Sequence, residues 1–221
     1  MVRLHESAVK KGGMNLRGYL WMKRTADIAL SCLALVMLSP VLLLISLAIV
    51  IDDPKGGPIF SQTRVGKNGR LFHIYKFRTM KIHSERLEES LSAEQLAEYR
   101  KEFKLDHDFR ITRSGRLLRN SSLDELPQLV NIFCGHMSLV GPRPLIEDEL
   151  REKYSASQQE ILLSVRPGLT GLWQINGRNN CSYADGERQL LELHYAQNFS
   201  FSMDLYILFK TVKVVLAGTG K

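Results

Sequence analysis

Cysteine is scarce. Cys32, Cys134 and Cys181 lie far apart, are odd in number and form no Cys-x-x-Cys pair, which argues against a disulfide framework or a zinc site and places the chemistry in a reducing compartment. Acidic residues also fall short, 23 against 30 lysines and arginines, so the chain carries a net charge of +7 and its surface suits anionic partners such as nucleic acid, anionic lipid or a phosphorylated substrate. Internal repeats and low-complexity tracts are missing. With 44% hydrophobic residues over 221 positions, the chain has enough apolar material for a core, which excludes a disordered polymer and fits one domain, or a smaller domain with an appendage.

Charge vanishes altogether from Ile28 to Ile51, an apolar run of 24 residues that would span about 36 Å as one straight helix. That length crosses a bilayer. The run is too long and too far inside the chain for a secretory signal, and Asp52-Asp53-Pro54 follows it where a small-residue cleavage site would be. At its middle stands Ser39-Pro40. Proline removes one helical hydrogen bond and kinks the helix, and the serine hydroxyl is available to satisfy the freed backbone. Arg3, Lys10, Lys11, Arg17, Lys23 and Arg24 precede the run, and Lys55, Arg64, Lys67 and Arg70 follow it, so basic flanks on both sides give no clear inside and outside. We read it as a re-entrant membrane helix over 25–53 after a basic segment at 1–24. A kinked single-pass anchor fits these residues equally well.

Residues 54–221 read as one globular domain, α+β and mainly helical. Ile59-Phe60 and Leu71 to Tyr75 flank Gly66-Lys67-Asn68-Gly69, and Asn-Gly between apolar, β-branched stretches predicts a small β-hairpin. Leu87, Leu91, Tyr99 and Phe103 predict a helix over 84–105. Near the C-terminus Phe201, Leu205, Leu208, Val212 and Val215 form an apolar stripe with Lys210 and Lys213 off it. Such stripes face a core more often than a membrane. Beside an anchor, this one can instead lie in the interface with its lysines toward anionic headgroups.

The chemistry concentrates between Arg110 and Arg178. Arg110, Arg113, Arg116 and Arg119 recur every third residue and lead into Ser122-Leu123-Asp124-Glu125-Leu126-Pro127-Gln128. Ser122 and Glu125 match a capping box, which would explain the acidic pair structurally. Pro127, however, would sit inside a helix capped at Ser122, so regular helix is predicted to begin at Asp124 or just after, leaving Asp124 ionised and exposed near an N-terminus. There a carboxylate among arginines is a candidate nucleophile or metal ligand. Downstream, Pro142 and Pro144 fix the backbone around Arg143 and hold its guanidinium for phosphate recognition. Arg166-Pro167-Gly168-Leu169-Thr170-Gly171, with Trp173 and Arg178 beyond it, reads as a loop whose backbone approaches a ligand closely. Taken singly, each feature is also explained by turn formation.

Together these residues resemble the bacterial sugar transferases, monotopic phosphoglycosyl transferases that act on polyprenyl phosphate. The resemblance runs from about Met22 and rests on the apolar run with Ser39-Pro40, on Lys76-Phe77-Arg78-Thr79-Met80, on Ser122 to Gln128, on Gly141-Pro142-Arg143-Pro144 and on Arg166 to Gly171. It implies a catalytic domain only, a re-entrant anchor with interfacial amphipathic helices, and a place at the cytosolic face of the bacterial inner membrane. The implied reaction moves a sugar 1-phosphate from a UDP-sugar to undecaprenyl phosphate and releases UMP, starting exopolysaccharide, capsule, O-antigen or glycoprotein glycan assembly. On this resemblance Asp124 is the nucleophile that forms an aspartyl phosphosugar, Glu125 assists with Mg²⁺, and Arg143 between Pro142 and Pro144 binds the nucleotide. Lys76, Arg78, Arg119 and Arg166 are implied substrate contacts, and anionic membrane lipids are implied partners. A homodimer is compatible with it. Where many relatives carry an aspartate near the C-terminus, this sequence has Glu192, one methylene longer.

Two other classes compete. A membrane-tethered nucleic-acid module accounts for the charge, yet no aromatic stacking platform or helix-turn-helix pattern is present, so no nucleic-acid partner is expected. A basic, membrane-anchored binding or scaffold protein accounts for the anchor and needs no acidic pair beside a proline-fixed arginine.

Overall fold

The computed structural model describes residues 15–82, 91–102, 105, 108–176, 183 and 185–216. Its first element, α1 (Leu16–Asp52), starts well before residue 25 and takes in part of the segment read as a basic lead. Asn15 caps it, its side-chain oxygen accepting from the Gly18 N–H at 2.7 Å. Pro40 lies inside the helix and leaves the Val36 carbonyl without its usual donor, and the Ser39 hydroxyl donates to that same carbonyl at 2.8 Å. Among the described residues α1 is the one helix long and apolar enough to cross a membrane, and Leu33, Val36, Met37, Leu43, Leu44 and Leu47 are exposed along it.

The opposite side of α1 is buried against the rest of the protein. Tyr19 joins a cluster with Val140, Tyr195, Phe199 and Ile207; Ala34, Leu35 and Leu38 pack beside Ile132 and Met137; Leu42 and Ile45 pack with Ile49 against Phe77 and Leu118. Spacings of three and four keep these residues on one face.

After α1 the chain forms the expected hairpin. Strand β1 (Ile59–Val65) pairs antiparallel with β2 (Leu71–Phe77), Gln62 opposite Ile74. Asn68 and Gly69 close it at φ 58° and 75°, the left-handed region that asparagine and glycine tolerate best. The chain continues through α2 (Ala93–Glu102), α3 (Arg113–Ser121), a 3₁₀ turn (Leu123–Glu125) and α4 (Gln128–Cys134). Of the residues predicted for the helix over 84–105, Tyr99 is half-buried on α2, while Leu87 and Phe103 lie outside the described residues. Asn131 of α4, fully buried, donates to the His73 carbonyl at 2.7 Å and accepts from the Tyr75 N–H at 3.0 Å, so α4 is fastened to the free edge of β2.

A second pairing was not foreseen. Strand β3 (Ser138–Val140) runs parallel to β4 (Gly168–Thr170), separated by α5 (Glu147–Lys153) and α6 (Ala156–Leu162). The glycines of the second loop motif serve this contact rather than a ligand: a Cβ on Gly168 would fall 2.0 Å from the Gly141 nitrogen, and one on Gly171 2.3 Å from the Gly141 carbonyl oxygen. Three-residue strands carry too little hydrophobic pattern to declare themselves.

Helices α7 (Leu172–Asn176), α8 (Glu187–Asn198) and α9 (Phe201–Leu216) complete the chain. The apolar stripe of α9 does not face the core. Phe201, Leu205 and Val212 are exposed, joined by Tyr206 and Phe209, and the buried face is Asp204 and Ile207 with Leu208 partly covered. Asp204 explains the rotation: its carboxylate accepts from the Tyr19 hydroxyl at 2.6 Å and pairs with Lys23 at 2.7 Å, with the Tyr195 hydroxyl 2.7 Å away, so a buried polar network turns the apolar stripe outward. The described residues are mainly helical with small sheets, and the long apolar helix α1 fits a monotopic anchor.

Candidate active site

The acidic pair sits on the 3₁₀ turn between α3 and α4. Ser122 adopts the left-handed conformation (φ 57°, ψ 16°) and its side chain caps nothing, so the predicted capping box does not form. Regular helix begins only at Gln128, after Pro127 has occupied the N-cap. The sharp reversal at Ser122 turns Asp124 inward, where it is 9% exposed rather than open to solvent. Leu123 and Leu126, on either side, pack on Phe77, Leu118 and Ile49 and anchor the turn.

Cations surround the pair. Lys76 at the end of β2 reaches Glu125 with its Nζ 2.9 Å from Oε1, a half-buried ion pair. Arg119 on the last turn of α3 donates from Nε to the Thr79 hydroxyl at 2.9 Å. Burial lowers the Arg119 pKa below the usual guanidinium range, opposed chiefly by the nearby Asp124 charge. Close packing fixes this spacing. A Cβ at Gly115 would fall 2.1 Å from the Thr79 carbonyl oxygen, so only glycine lets α3 approach so near.

Arg143 belongs to the same electrostatic neighbourhood. Its backbone N–H donates to Glu192 Oε2 at 3.0 Å, and its guanidinium lies 5.4 Å from the centre of the Trp173 ring. Burial opposes its charge, but Glu149 first, and then Tyr183, Glu125 and Glu192, outweigh that effect and hold the guanidinium above its ordinary value. Pro142 and Pro144, both buried, lock the segment on either side: the Pro142 carbonyl accepts from Gly168 at 2.8 Å, and the Leu145 carbonyl from Val65 at 2.9 Å. Glu192 is 2% exposed, and burial pushes its pKa up to about 7.

Behind Arg143 lies a cluster that the sequence did not reveal. Glu149 accepts from Tyr183 at 2.5 Å and pairs with Arg188 at 3.0 Å and Arg64 at 3.7 Å; Arg188 stacks over both Trp173 and Tyr183. These residues come from β1, α5, α7, α8 and the loop before α8, so no short motif contains them.

Two predicted substrate contacts lie elsewhere. Arg78 is committed to the end of α1, where its guanidinium pairs with Asp53 at 2.6 Å and donates to the carbonyls of Asp53 and Gly56. Arg166 donates to the Gly135 carbonyl at 2.9 Å and borders a cavity beside the first turns of α1. Of the basic row, Arg110 forms a buried, two-pronged pair with Asp108, and Arg113 and Arg116 face solvent. Arg178 lies outside the described residues. Among the described residues no three His, Cys, Asp or Glu side chains cluster as a metal site, so Asp124 and Glu125 would have to share a cation with a ligand's own oxygens.

Comparison with known proteins identifies the family. The chain is 48% identical over 202 residues to the exopolysaccharide production protein ExoY of Sinorhizobium fredii, an alignment covering 90% of this chain and 87% of that protein. It is 46% identical over 202 residues to an uncharacterized sugar transferase of Haemophilus influenzae, and 44% identical over 208 residues to the undecaprenyl-phosphate galactose phosphotransferase of Salmonella typhimurium. Those alignments cover 90% and 92% of this chain but 42% of each relative, so the chain spans less than half the length of these two. Residues 18–218 match the family described as bacterial sugar transferase, from the first turns of α1 to beyond α9, and the chain belongs to that family.

Proposed function

We propose that this protein transfers a sugar 1-phosphate from a UDP-sugar to undecaprenyl phosphate at the membrane surface, through a covalent intermediate on Asp124. The observation that carries the reading is the buried Asp124 carboxylate on a 3₁₀ turn, next to Arg119 and to the Glu125–Lys76 pair, whose carboxylate also acts on Arg143. In the first step a carboxylate oxygen of Asp124 bonds to the phosphorus that carries the sugar. The bond from that phosphorus to the bridging oxygen breaks, and UMP leaves with the electron pair. In the second step an oxygen of the lipid phosphate bonds to the same phosphorus, the acyl phosphate bond breaks, and Asp124 is restored. Arg143 and Arg119 offset negative charge on the nucleotide and on the phosphoryl group in transit. Two adjacent carboxylates plus a substrate diphosphate are a donor set that suits Mg²⁺, and a cation held by Glu125 would supply further charge neutralisation.

The reading extends to the anchor. Both ends of α1 are fastened to the same globular body, Tyr19 and Lys23 to Asp204 at one end, Asp52 to Ser114 and Asp53 to Arg78 at the other. A helix bound at both ends to one domain enters and leaves the membrane on the same face, and because α1 stays helical through Ser39-Pro40 the return is a bend within one helix. The outward apolar faces of α1 and α9 then meet lipid, Lys210 and Lys213 lying against Tyr206 and Phe209 at the headgroup level. This arrangement holds the reaction at the plane where the lipid phosphate resides, on the cytosolic face of the inner membrane. The relatives' names point to galactose in Salmonella typhimurium and N-acetylgalactosamine in Aeromonas hydrophila, so UDP-hexoses of this group are the donors to try first.

The test is purified protein in nanodiscs with UDP-galactose or UDP-N-acetylgalactosamine, with UMP release as readout. Donor labelled in the sugar should mark wild-type protein when lipid acceptor is withheld, and Asp124→Asn should remain unmarked. UMP release that requires the acceptor, together with turnover by Asp124→Asn, would instead favour direct attack by the lipid phosphate.

A further inference from the structure

Beside the first turns of α1 lies a cavity of about 180 Å³, room for about six waters. It is remote from the acidic pair. Its wall on α1 ends at Asp27, whereas the acidic turn packs near Ile45, about 27 Å further along the helix at 1.5 Å per residue. Four cations border it: Lys23, Arg24, Lys67 and Arg166. Lys23 is neutralised by Asp204. Arg24 and Arg166 are held by backbone carbonyls at the end of α4, Ile132 and Phe133 for the first and Gly135 for the second, so neither charge is cancelled by a carboxylate there. Capping α4 explains those two arginines. It does not explain Lys67.

Lys67 stands at the tip of the β1–β2 hairpin, which the Asn68 N–H pins to the Leu163 carbonyl at 2.8 Å. Among the described residues its ammonium has no hydrogen-bond or ion-pair partner, although it is half-buried. Burial, and then the charge of Arg166, hold it below its ordinary pKa, the mark of a cation kept near another cation without an anion between them. A second orphan points the same way. Ser138, 1% exposed, lines the cavity with a hydroxyl that bonds to nothing. One carboxylate opposes the cations, Asp27, and one of its oxygens is taken by the Leu139 N–H at 2.9 Å. The remaining lining is mostly apolar, Leu16 and Leu20 from α1, Val140, Val165 and Phe199, while the Ser164 hydroxyl donates to the Ile161 carbonyl and the Tyr195 hydroxyl is taken by Asp204 and the Val140 carbonyl; Trp21 next to the cavity is 76% exposed.

We propose that this cavity binds the phosphate headgroup of an anionic phospholipid, with Lys67, Arg166 and Arg24 around the phosphate, the Ser138 hydroxyl donating to it, and the acyl chains running out along Leu20 and Trp21. The proposal rests on the reading of α1 as a membrane anchor. It assigns a lipid contact away from the reacting centre, so its occupant is a resident of the membrane rather than the acceptor that must reach Asp124.

Native mass spectrometry of the full chain in a neutral detergent tests this, because lipid adducts are counted without donor or turnover and loss of the transferase reading would leave the result standing. The probes are dioctanoyl phosphatidylglycerol, dioctanoyl phosphatidylcholine, inorganic phosphate and undecaprenyl phosphate. One phosphatidylglycerol per chain is expected, at least tenfold tighter than phosphatidylcholine. Lys67→Gln, a turn position that packs no core, should weaken it at least tenfold; Lys67→Arg should retain it, and Ser138→Ala should weaken it severalfold. Equal binding of phosphatidylcholine, or undiminished phosphatidylglycerol in both Lys67→Gln and Ser138→Ala, overturns the proposal. Inorganic phosphate that displaces the lipid at equal concentration would make the cavity a free-phosphate site, and displacement by undecaprenyl phosphate alone would make it an acceptor site; either outcome overturns the phospholipid assignment. Carbonate extraction separates the premise: a chain released from vesicles refutes the anchor, and one that stays while showing no lipid preference refutes the pocket.

Discussion

Glu192 holds Arg143 by its backbone: Oε2 accepts from the Arg143 N–H at 3.0 Å, while its other carboxylate oxygen is buried without a partner. The extra methylene relative to aspartate therefore reaches the proline-fixed segment itself. Burial raises the Glu192 pKa to about 7, so the folded state keeps a proton that the unfolded chain loses near its ordinary value of 4.5. The contribution of this group to stability is greatest below about pH 4.5 and declines as pH rises toward 7, where the buried carboxylate becomes charged. Glu192→Gln retains a hydrogen-bond acceptor without that charge. Its stability relative to wild type should rise between pH 4.5 and 7 and level off above, as chemical denaturation at a series of pH values would show. A difference independent of pH would remove the titration from Glu192.

Arg143 should matter for donor use more than for folding. Arg143→Ala is expected to lower kcat/KM for the UDP-sugar by an amount typical of a charge-assisted contact, about 1.5 to 3 kcal/mol, and Arg143→Lys to recover only part of it, since a point charge lacks the planar fork. Steady-state kinetics with varied donor is the measurement.

For Arg78 the expectation is reversed. Its partners are Asp53 and the carbonyls at the end of α1, so Arg78→Ala should cost about 1.5 to 3 kcal/mol of stability while the enzyme that remains folded keeps its donor KM. A donor KM raised tenfold with unchanged thermal unfolding would return Arg78 to the substrate.

Glu125→Gln should shift Mg²⁺ dependence to higher concentration and slow turnover, because a neutral amide is a poor ligand for a hard cation, and it leaves Lys76 without its partner. Titration of UMP release against Mg²⁺ distinguishes this from Asp124→Asn, which should be inactive at every concentration.

Pro40→Ala restores the donor to the Val36 carbonyl that Ser39 now satisfies, and should straighten α1. Single cysteines near residue 14 and in the globular domain, treated with an impermeant reagent, should both react from the same face in the wild type and from opposite faces in Pro40→Ala. Opposite faces in the wild type would make α1 a crossing helix.

The parts of this protein that the sequence determined by itself are those whose cause is local. The apolar run, the Ser39 hydroxyl bond to Val36 beside Pro40 and the Asn68-Gly69 turn each express backbone chemistry within a few residues, and the structure shows the helix, continuous through Pro40, and the hairpin where those signals stand. Asp124, Glu125 and Arg143 stood out because adjacent carboxylates and a proline-bracketed arginine are unusual over a short span. Tertiary structure decided the rest. Whether Asp124 was exposed depended on the left-handed turn at Ser122, and which face of α9 turned inward depended on Asp204 finding Tyr19 and Lys23 at the other end of the chain. Arg78 and Arg166 look alike in sequence to Lys76 and Arg119, yet the first two are taken up by backbone carbonyls and a carboxylate at the ends of other helices. Glu149, with Arg64, Arg143, Arg188 and Tyr183 around it, exists only once five separate segments meet. The physical reason is common to all of these. A charged side chain spends its long reach on whatever partner packing brings near, and burial makes that partner obligatory, so its role is fixed by neighbours distant in the chain rather than by the residues beside it.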